Sequence, residues 1–341
     1  MRAAICAAWP RREAMLAYAL RRVALFVPTL AGVVLAVFFL VHLIPGDAAR
    51  TLLGQDATPQ AVAQLRQTLG LDAPLPVQLA RYLGRLAQGD LGRSMLQNAR
   101  VSTLVSERLP ATLELALSAI AISVVLGLLL GVAAAVRRGG LLDVLCLVFA
   151  QLGVSMTVFW LAILLVYVFS VRLHWLPAIG RGAPVVSAIG AALTGWPGAL
   201  ADSLAHLALP SLALGLQGAA IICRMVRAGM LDVLASDFVR TARAKGLAAP
   251  RVVLVHALPN ALLPALAIAG WQFGNLLGGA VLTEGIFGWP GMGQLAVSAI
   301  SQRDLPLVQG IALTFALVFA TVTLATDMLG GAIDPRIRSE A

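Results

Sequence analysis

The sequence predicts an all-α polytopic membrane protein with six transmembrane helices, and three observations carry that prediction. Of its 341 residues, 60% are hydrophobic and only 12% are charged. A soluble domain carries about 25% charged and about 45–50% apolar residues, so a soluble fold of this length would lack the polar surface to cover itself. Mean hydropathy is +0.89, which also excludes a disordered chain and a secreted disulfide scaffold. Finally, the apolar residues gather into six runs of about 20 residues or more, the length that crosses a hydrocarbon core.

The first run, Val23 to Ile44, is too long and too bulky for a signal peptide, and no small-residue cleavage site follows it. The others span Ala111–Val136, Val144–Val171, Leu207–Met230, Ala261–Leu282 and Leu307–Leu329. The chain therefore divides into an N-terminal tail (1–22), a first span (23–44), a long connecting region (45–110), a five-helix core (111–330) and a C-terminal tail (331–341). Met15 to Arg22, MLAYALRR, reads like a complete start before the first span, so translation is expected to begin at Met1 or at Met15.

Charge sets the orientation. The formal net charge is +9, and Lys and Arg collect on the cytoplasmic side of membrane proteins. The N-terminal tail carries Arg2, Arg11, Arg12, Arg21 and Arg22. Arg137 and Arg138 follow the second span. Arg224, Arg227, Arg240, Arg243, Lys245 and Arg251 lie between the fourth and fifth, and Arg336 and Arg338 close the chain. The opposite short loops offer only Arg172, Arg181 and Arg303. Pro45–Pro110 holds seven arginines, but loops beyond about 60 residues translocate largely regardless of charge. Both termini are expected in the cytoplasm.

Pro45–Pro110 then lies on the outer face. Within it Thr58 can cap a helix that Pro59 opens, with Val62, Leu65 and Leu69 at helical spacing. A second amphipathic piece carries Val77, Leu79, Leu83 and Leu86. A lid of interfacial helices is the simpler reading; a docking surface for an external partner is the other.

The loop from Ser236 to Pro264, within the region 231–260, differs in kind. Ser236 or Asp237 can cap a short helix, with Phe238 and Ala242 on one side and Arg240, Arg243 and Lys245 elsewhere. Gly246 can end it in a left-handed conformation. A second helix is expected from Arg251 to Leu258, stopping at Pro259. A short, stiff, basic helix suits a partner protein or lipid headgroups, and composition alone favours the membrane surface.

Several chemistries are missing. There is no GxxxxGK[ST] phosphate loop and no HExxH, and His42, His174, His206 and His256 are scattered. Cys6, Cys146 and Cys223 make no metal-ligand spacing; Cys146 and Cys223 read as small packing residues. Gly153–Met156 lacks the second glycine of a nucleophile motif and reads as helix packing. Glu114 is expected in the first turn of the second span, where a helix N-terminus favours negative charge, and Asp327 in the last turn of the sixth. Neither lies at mid-depth, where an ion-coupled carrier needs its relay. Gly270, Gly274, Gly278 and Gly279 suit close helix approach, and Gly285–Gly293, GIFGWPGMG, is expected as an outer loop.

At Asp237–Pro264 the sequence resembles the cytoplasmic EAA loop of binding-protein-dependent ABC transporter permeases. That pattern is Glu-Ala-Ala, three residues, Gly, nine residues, Ile-x-Leu-Pro. Gly246, Ala242 and Leu258-Pro259 match; Arg240, Thr241 and His256 stand at the Glu, first Ala and Ile positions. RTARAKG is the form seen in the dipeptide/oligopeptide/nickel subfamily. Further resemblances in order are HLIPGD (His42–Asp47), LGLDAPLPVQ (Leu69–Gln78), GDLGRS (Gly89–Ser94), RLPATLELAL (Arg108–Leu117), LPNALLP (Leu258–Pro264), GIFGWPGMG, RDLPLVQG (Arg303–Gly310) and DPRIR (Asp334–Arg338).

The resemblance implies the type I ABC importer permease fold, in the subunit with the large first periplasmic loop, set in the bacterial inner membrane. It implies a homologous second permease subunit, two ABC ATPase subunits that hold ATP and Mg, and a periplasmic substrate-binding protein. No cofactor on this chain, no enzymatic activity and no nucleic acid are implied. Asp237, Phe238, Arg240, Thr241, Ala242, Arg243, Lys245, Gly246, Leu258 and Pro259 are the expected contact with an ATPase subunit. Peptides are the expected substrate, with nickel or a nickel chelate as the alternative. A secondary transporter is the rival of a different class; it needs an intramembrane ionisable site or inverted repeats.

Overall fold

The computed structural model describes residues 11–43, 58–69, 72–94 and 96–333. HLIPGD beyond Leu43, the N-terminal residues before Arg11 and the C-terminal DPRIR lie outside them. Helix α1 (Arg11–Leu43) is followed by α2 (Pro59–Leu69), α3 (Leu75–Ala87) and a hairpin of β1 (Arg93–Ser94) and β2 (Ala99–Arg100). The strands are antiparallel, with Arg93 opposite Arg100 and Ser94 opposite Ala99. The hairpin leads into α4 (Val101–Val136), α5 (Leu141–Ser155), and α6 (Val158–Leu165), which wide π turns prolong over Val166–Arg172. Then come α7 (Val185–Leu193), α8 (Pro197–Leu234), α9 (Asp237–Ala244), α10 (Leu258–Phe287), α11 (Met292–Ser301) and α12 (Leu305–Ile333).

Among the described residues, four helices are long and apolar enough to cross a membrane: Leu20–Phe39 of α1, α4, α8, and Leu305–Gly331 of α12. The pair α5 and α6 makes a fifth, and α10, 30 residues long, occupies the remaining predicted span. The third span is not the single helix expected over Val144–Val171. It breaks between Ser155 and Val158 with a bend of 109°, and Gln217 Nε2 donates to the freed Met156 carbonyl at 3.4 Å.

Helix α4 starts at Val101, well before the expected Ala111, and runs straight through Pro110. Burial outweighs the proline. Val101 and Val105 pack with Met292, Leu295, Leu307 and Ile311, and Val101 N donates to Gly92 O at 3.0 Å. Glu114 is therefore several turns inside α4. It faces a different helix N-terminus, accepting from the first amide of α7, Val185 N, at 3.2 Å, and it pairs with Arg181. Asp327 lies well short of the end of α12 and pairs with Arg22 of α1 at 2.7 Å. Thr58 caps α2 as expected, accepting from Ala61 N at 3.3 Å.

The centre is the α4–α8 contact. A Cβ at Gly127 would sit 2.7 Å from Ile222, one at Gly131 2.7 Å from the Cys223 carbonyl, and one at Gly215 2.8 Å from Ile122. Backbones can approach this closely only where side chains are absent. Gly153 likewise faces Ala220, and Cys146 and Cys223 pack with Ala134. The bundle thus has two ends. The hairpin end carries β1–β2, α7 and α11; the loop end carries α9 and the Arg137–Gly140 turn.

Candidate functional site

Helix α9 is eight residues long and its placement follows from two kinds of side chain. Val239, Ala242 and Val252 are buried together against Val233, Leu234 and Leu247. Phe238 does not share a side with Ala242, as the sequence reading had it; it is 49% exposed. Asp237, Phe238, Arg240, Thr241, Arg243 and Lys245 all face outward. Ser236 holds the N-cap position with extended backbone, yet its hydroxyl donates back to Val233 O at 2.5 Å and caps nothing. The acidic Asp237 in the first turn supplies the favourable charge there.

The other end closes on Gly246, which has φ +77°. Gly246 N donates to Arg243 O at 2.9 Å and Leu247 N to Ala242 O at 3.4 Å. This is a Schellman closure with its apolar contact between Leu247 and Ala242. No heavy atom lies within 4 Å of a Cβ built on Gly246. The chain then turns through Ala249–Arg251 and wide π turns at Val252–Ala257 straight into α10. The second helix thus starts earlier than Arg251 and does not stop at Pro259. Pro259 lies where the π turns pass into α10, and having no N–H it cannot donate back to the turn before it.

Leu258 and Pro259 are separated from the α9 cluster. They line an apolar groove of about 510 Å³ with Val124 and Leu128 of α4, Ile222 of α8, Leu254 of the π turns, and Leu262 and Leu266 along the lower half of α10. The expected site therefore divides into the exposed face of α9 and one wall of this groove.

A polar network at the hairpin end escaped the sequence reading. Thr112 Oγ1 donates to Glu284 Oε1 at 2.6 Å and accepts from Met292 N at 2.8 Å. Glu284 Oε2 accepts from Gln294 N at 3.0 Å, and the Gly293 amide also donates to this carboxylate. Trp289 Nε1 donates to Ala111 O at 2.9 Å, and the Arg181 guanidinium lies 5.6 Å from the Trp289 ring centre. GIFGWPGMG is thus not a free outer loop. Its first residues end α10, Gly288 closes that helix at φ +58°, and Met292 begins α11. The one available signal was Glu284 itself, an acid among small residues at the end of an apolar run.

Residues 123–339 match the family described as binding-protein-dependent transport system inner membrane component, and residues 15–116 match its N-terminal counterpart. The chain belongs to this family. The permease is 43% identical to the dipeptide transport system permease protein DppB of Alkalihalophilus pseudofirmus, over 95% of this chain and 100% of that protein. It is 44% identical to the di/tripeptide transport system permease protein DppB of Pseudomonas aeruginosa, over 96% of this chain and 100% of that one. It is 42% identical to the glutathione transport system permease protein GsiC of Salmonella paratyphi A, over 95% and 99%. In fold it resembles the MetNI methionine ABC transporter in inward-facing conformations, with TM-score 0.52, 18% identity, and coverage of 68% of this chain and 96% of that one.

Proposed function

We propose that this permease forms half of the channel of an importer for short peptides. A second, homologous permease subunit completes the channel, two ABC subunits that hold ATP and Mg drive it, and a soluble binding protein delivers substrate to the hairpin end. Near-full-length relatives named for dipeptides, di/tripeptides and glutathione support the substrate class. The arginine pattern supports cytoplasmic termini, with α9 on the same side.

The observation that carries the mechanism is the two-sided build of α9. Its inner face is locked to α8 and to the turns before α10 by Val239, Ala242 and Val252. Its outer face leaves an aromatic ring, Phe238, standing among Asp237, Arg240, Thr241, Arg243 and Lys245. An exposed aromatic with a polar rim is the composition of an interface anchor. Force applied to that face by an ATPase subunit passes to both α8 and α10.

The test is reconstitution of the permease with its co-purifying partners in vesicles. ATP-dependent uptake of a labelled dipeptide, stimulated by the loaded binding protein and lost in Phe238→Ala, is the expected result. Uptake driven by an ion gradient without ATP, or co-purification without phosphate-loop subunits, would defeat the reading.

A further inference from the structure

The sequence motifs RLPATLELAL and GIFGWPGMG have no part in the α9 contact, yet the structure brings them together at Glu284. Glu284 and Thr112 are both fully buried. One carboxylate joins three helices: it belongs to α10, accepts from Thr112 of α4, and receives the Gly293 and Gln294 amides at the start of α11. Thr112 completes the loop by accepting from Met292 N. A Cβ at Gly291 would fall 2.2 Å from this carboxylate, and one at Gly293 2.5 Å from the Val281 backbone. The glycines of the motif are what let α11 close over it.

The opposite end of α10 is built differently. There the helix continues from the π turns that carry Val252, which is buried in the α9 cluster. Wide turns of this kind mark places where a helix can change its winding. Beside this half lies the apolar groove of about 510 Å³, between Leu254 of the π turns with Leu258, Leu262 and Leu266 of α10 on one side and Val124 and Leu128 of α4 on the other. Helix α10 is therefore pinned at the hairpin end; at the loop end one side packs on α8 through Ala261 and Ala265, the other borders the groove, and the π turns attach it to α9.

The geometry points to a lever: α10 swings about a fulcrum formed by Glu284 and Thr112, and displacement of α9 moves its lower half across the groove. The proposal rests on the importer reading, and it makes Glu284 and Thr112 positioning residues for transport. A rod of 30 residues is about 45 Å long at 1.5 Å per residue. With its far end fixed, a small shift at α9 becomes a rotation of the channel wall; without the pin, the same shift is lost as sliding.

Thr112 gives a clean test because it can be changed in two ways. Thr112→Val keeps the shape and removes the hydroxyl; Thr112→Ser keeps the hydroxyl and leaves a methyl-sized gap. A pure packing role predicts that serine is the more harmful. The fulcrum predicts the reverse. In the full complex with its binding protein and ATPase subunits, Thr112→Val should assemble normally and keep basal ATP turnover. Dipeptide uptake and stimulation of turnover by loaded binding protein should each fall about tenfold or more, since leaving the buried Glu284 oxygen and Met292 amide without their partner costs about that much free energy. Thr112→Ser should stay within about twofold of the unsubstituted complex on the same scale. Undiminished stimulation in Thr112→Val, equal damage in Thr112→Ser, or failure of Thr112→Val to assemble would each overturn the lever. Absence of stimulation in the unsubstituted complex would instead overturn the importer reading, and the lever with it.

Discussion

Arg227 of α8 holds Asp143 of α5 with two arms of its guanidinium, Nε to Oδ1 at 2.6 Å and Nη2 to Oδ2 at 2.9 Å. The same carboxylate accepts from Gly139 N at 2.9 Å, in the turn that joins α4 to α5. One residue thereby fixes three segments at the loop end. Breaking a buried pair strands a charge, whereas replacing both members by apolar residues need not. Arg227→Met and Asp143→Leu should each lower the melting temperature in detergent more than the double variant does. Simple additivity of the two losses in a double-mutant cycle would show that the pair is not coupled.

Tyr82 of α3 packs on Phe38 of α1 with ring centres 5.6 Å apart, and its hydroxyl, among the described residues, has no hydrogen-bond partner. Burial pushes the phenol up from 10.0 to about 12, against a smaller opposing effect of Arg85. The folded state thus keeps the proton where the unfolded chain loses it. This contribution to stability is complete below pH 10 and is lost as pH rises towards about 12. Tyr82→Phe should stabilise the α1–α3 contact by about 1 kcal/mol at pH 8, because a desolvated hydroxyl is removed. It should also flatten the fall in melting temperature between pH 10 and 11. An unchanged alkaline slope would count against this account.

Much of this architecture was legible in the sequence, and the exceptions share a cause. Hydropathy located the spans because apolar length is a property of the local sequence. It could not show the 109° bend at Met156 and Thr157, since SMT contains neither Pro nor Gly and the freed carbonyl finds its partner in Gln217 of α8. Pro110 misplaced the start of α4, because the burial of Val101 and Val105 comes from α11 and α12. Gly246 was read correctly as a left-handed stop, a choice made by the backbone itself. Phe238 was assigned to the wrong side of α9 because Val239 finds its partner in Val252, beyond the turn. Glu284 and Thr112 are 172 residues apart, and no local pattern links them.

Two glycines separate rigid from adjustable packing. A Cβ at Gly131 meets the Cys223 carbonyl at 2.7 Å, and a backbone atom cannot turn aside. A Cβ at Gly274 meets the Phe319 ring at 2.0 Å, but that ring is 42% exposed and can rotate outward. Gly131→Ala should therefore force α4 and α8 apart and cost about 2 kcal/mol, within the range for overpacked cores. Gly274→Ala should cost about 1 kcal/mol or less by the same measure. Thermal unfolding of the two variants at matched expression decides between this ordering and the reverse, which the raw distances alone would suggest.

Gly246 offers the sharpest separation of the chain's own stability from its proposed contact. Its φ of +77° is strained for any residue with a Cβ, at about 1–2 kcal/mol, and asparagine tolerates that region better than most. Within this chain the space beside Gly246 is open, so neither Asn nor Val meets an obstacle there. Gly246→Asn should leave folding and dipeptide uptake close to normal. Gly246→Val should still insert its spans, because none of them depends on this turn. It should lose uptake, either because the ATPase subunits no longer co-purify or because their turnover no longer responds to loaded binding protein. The reason is twofold: a β-branched residue disfavours the turn that ends α9, and its bulk occupies the surface where a partner would close on Lys245 and Gly246. A helix merely lying on lipid would notice neither change. Normal uptake by Gly246→Val in an intact complex would remove α9 from the coupling path.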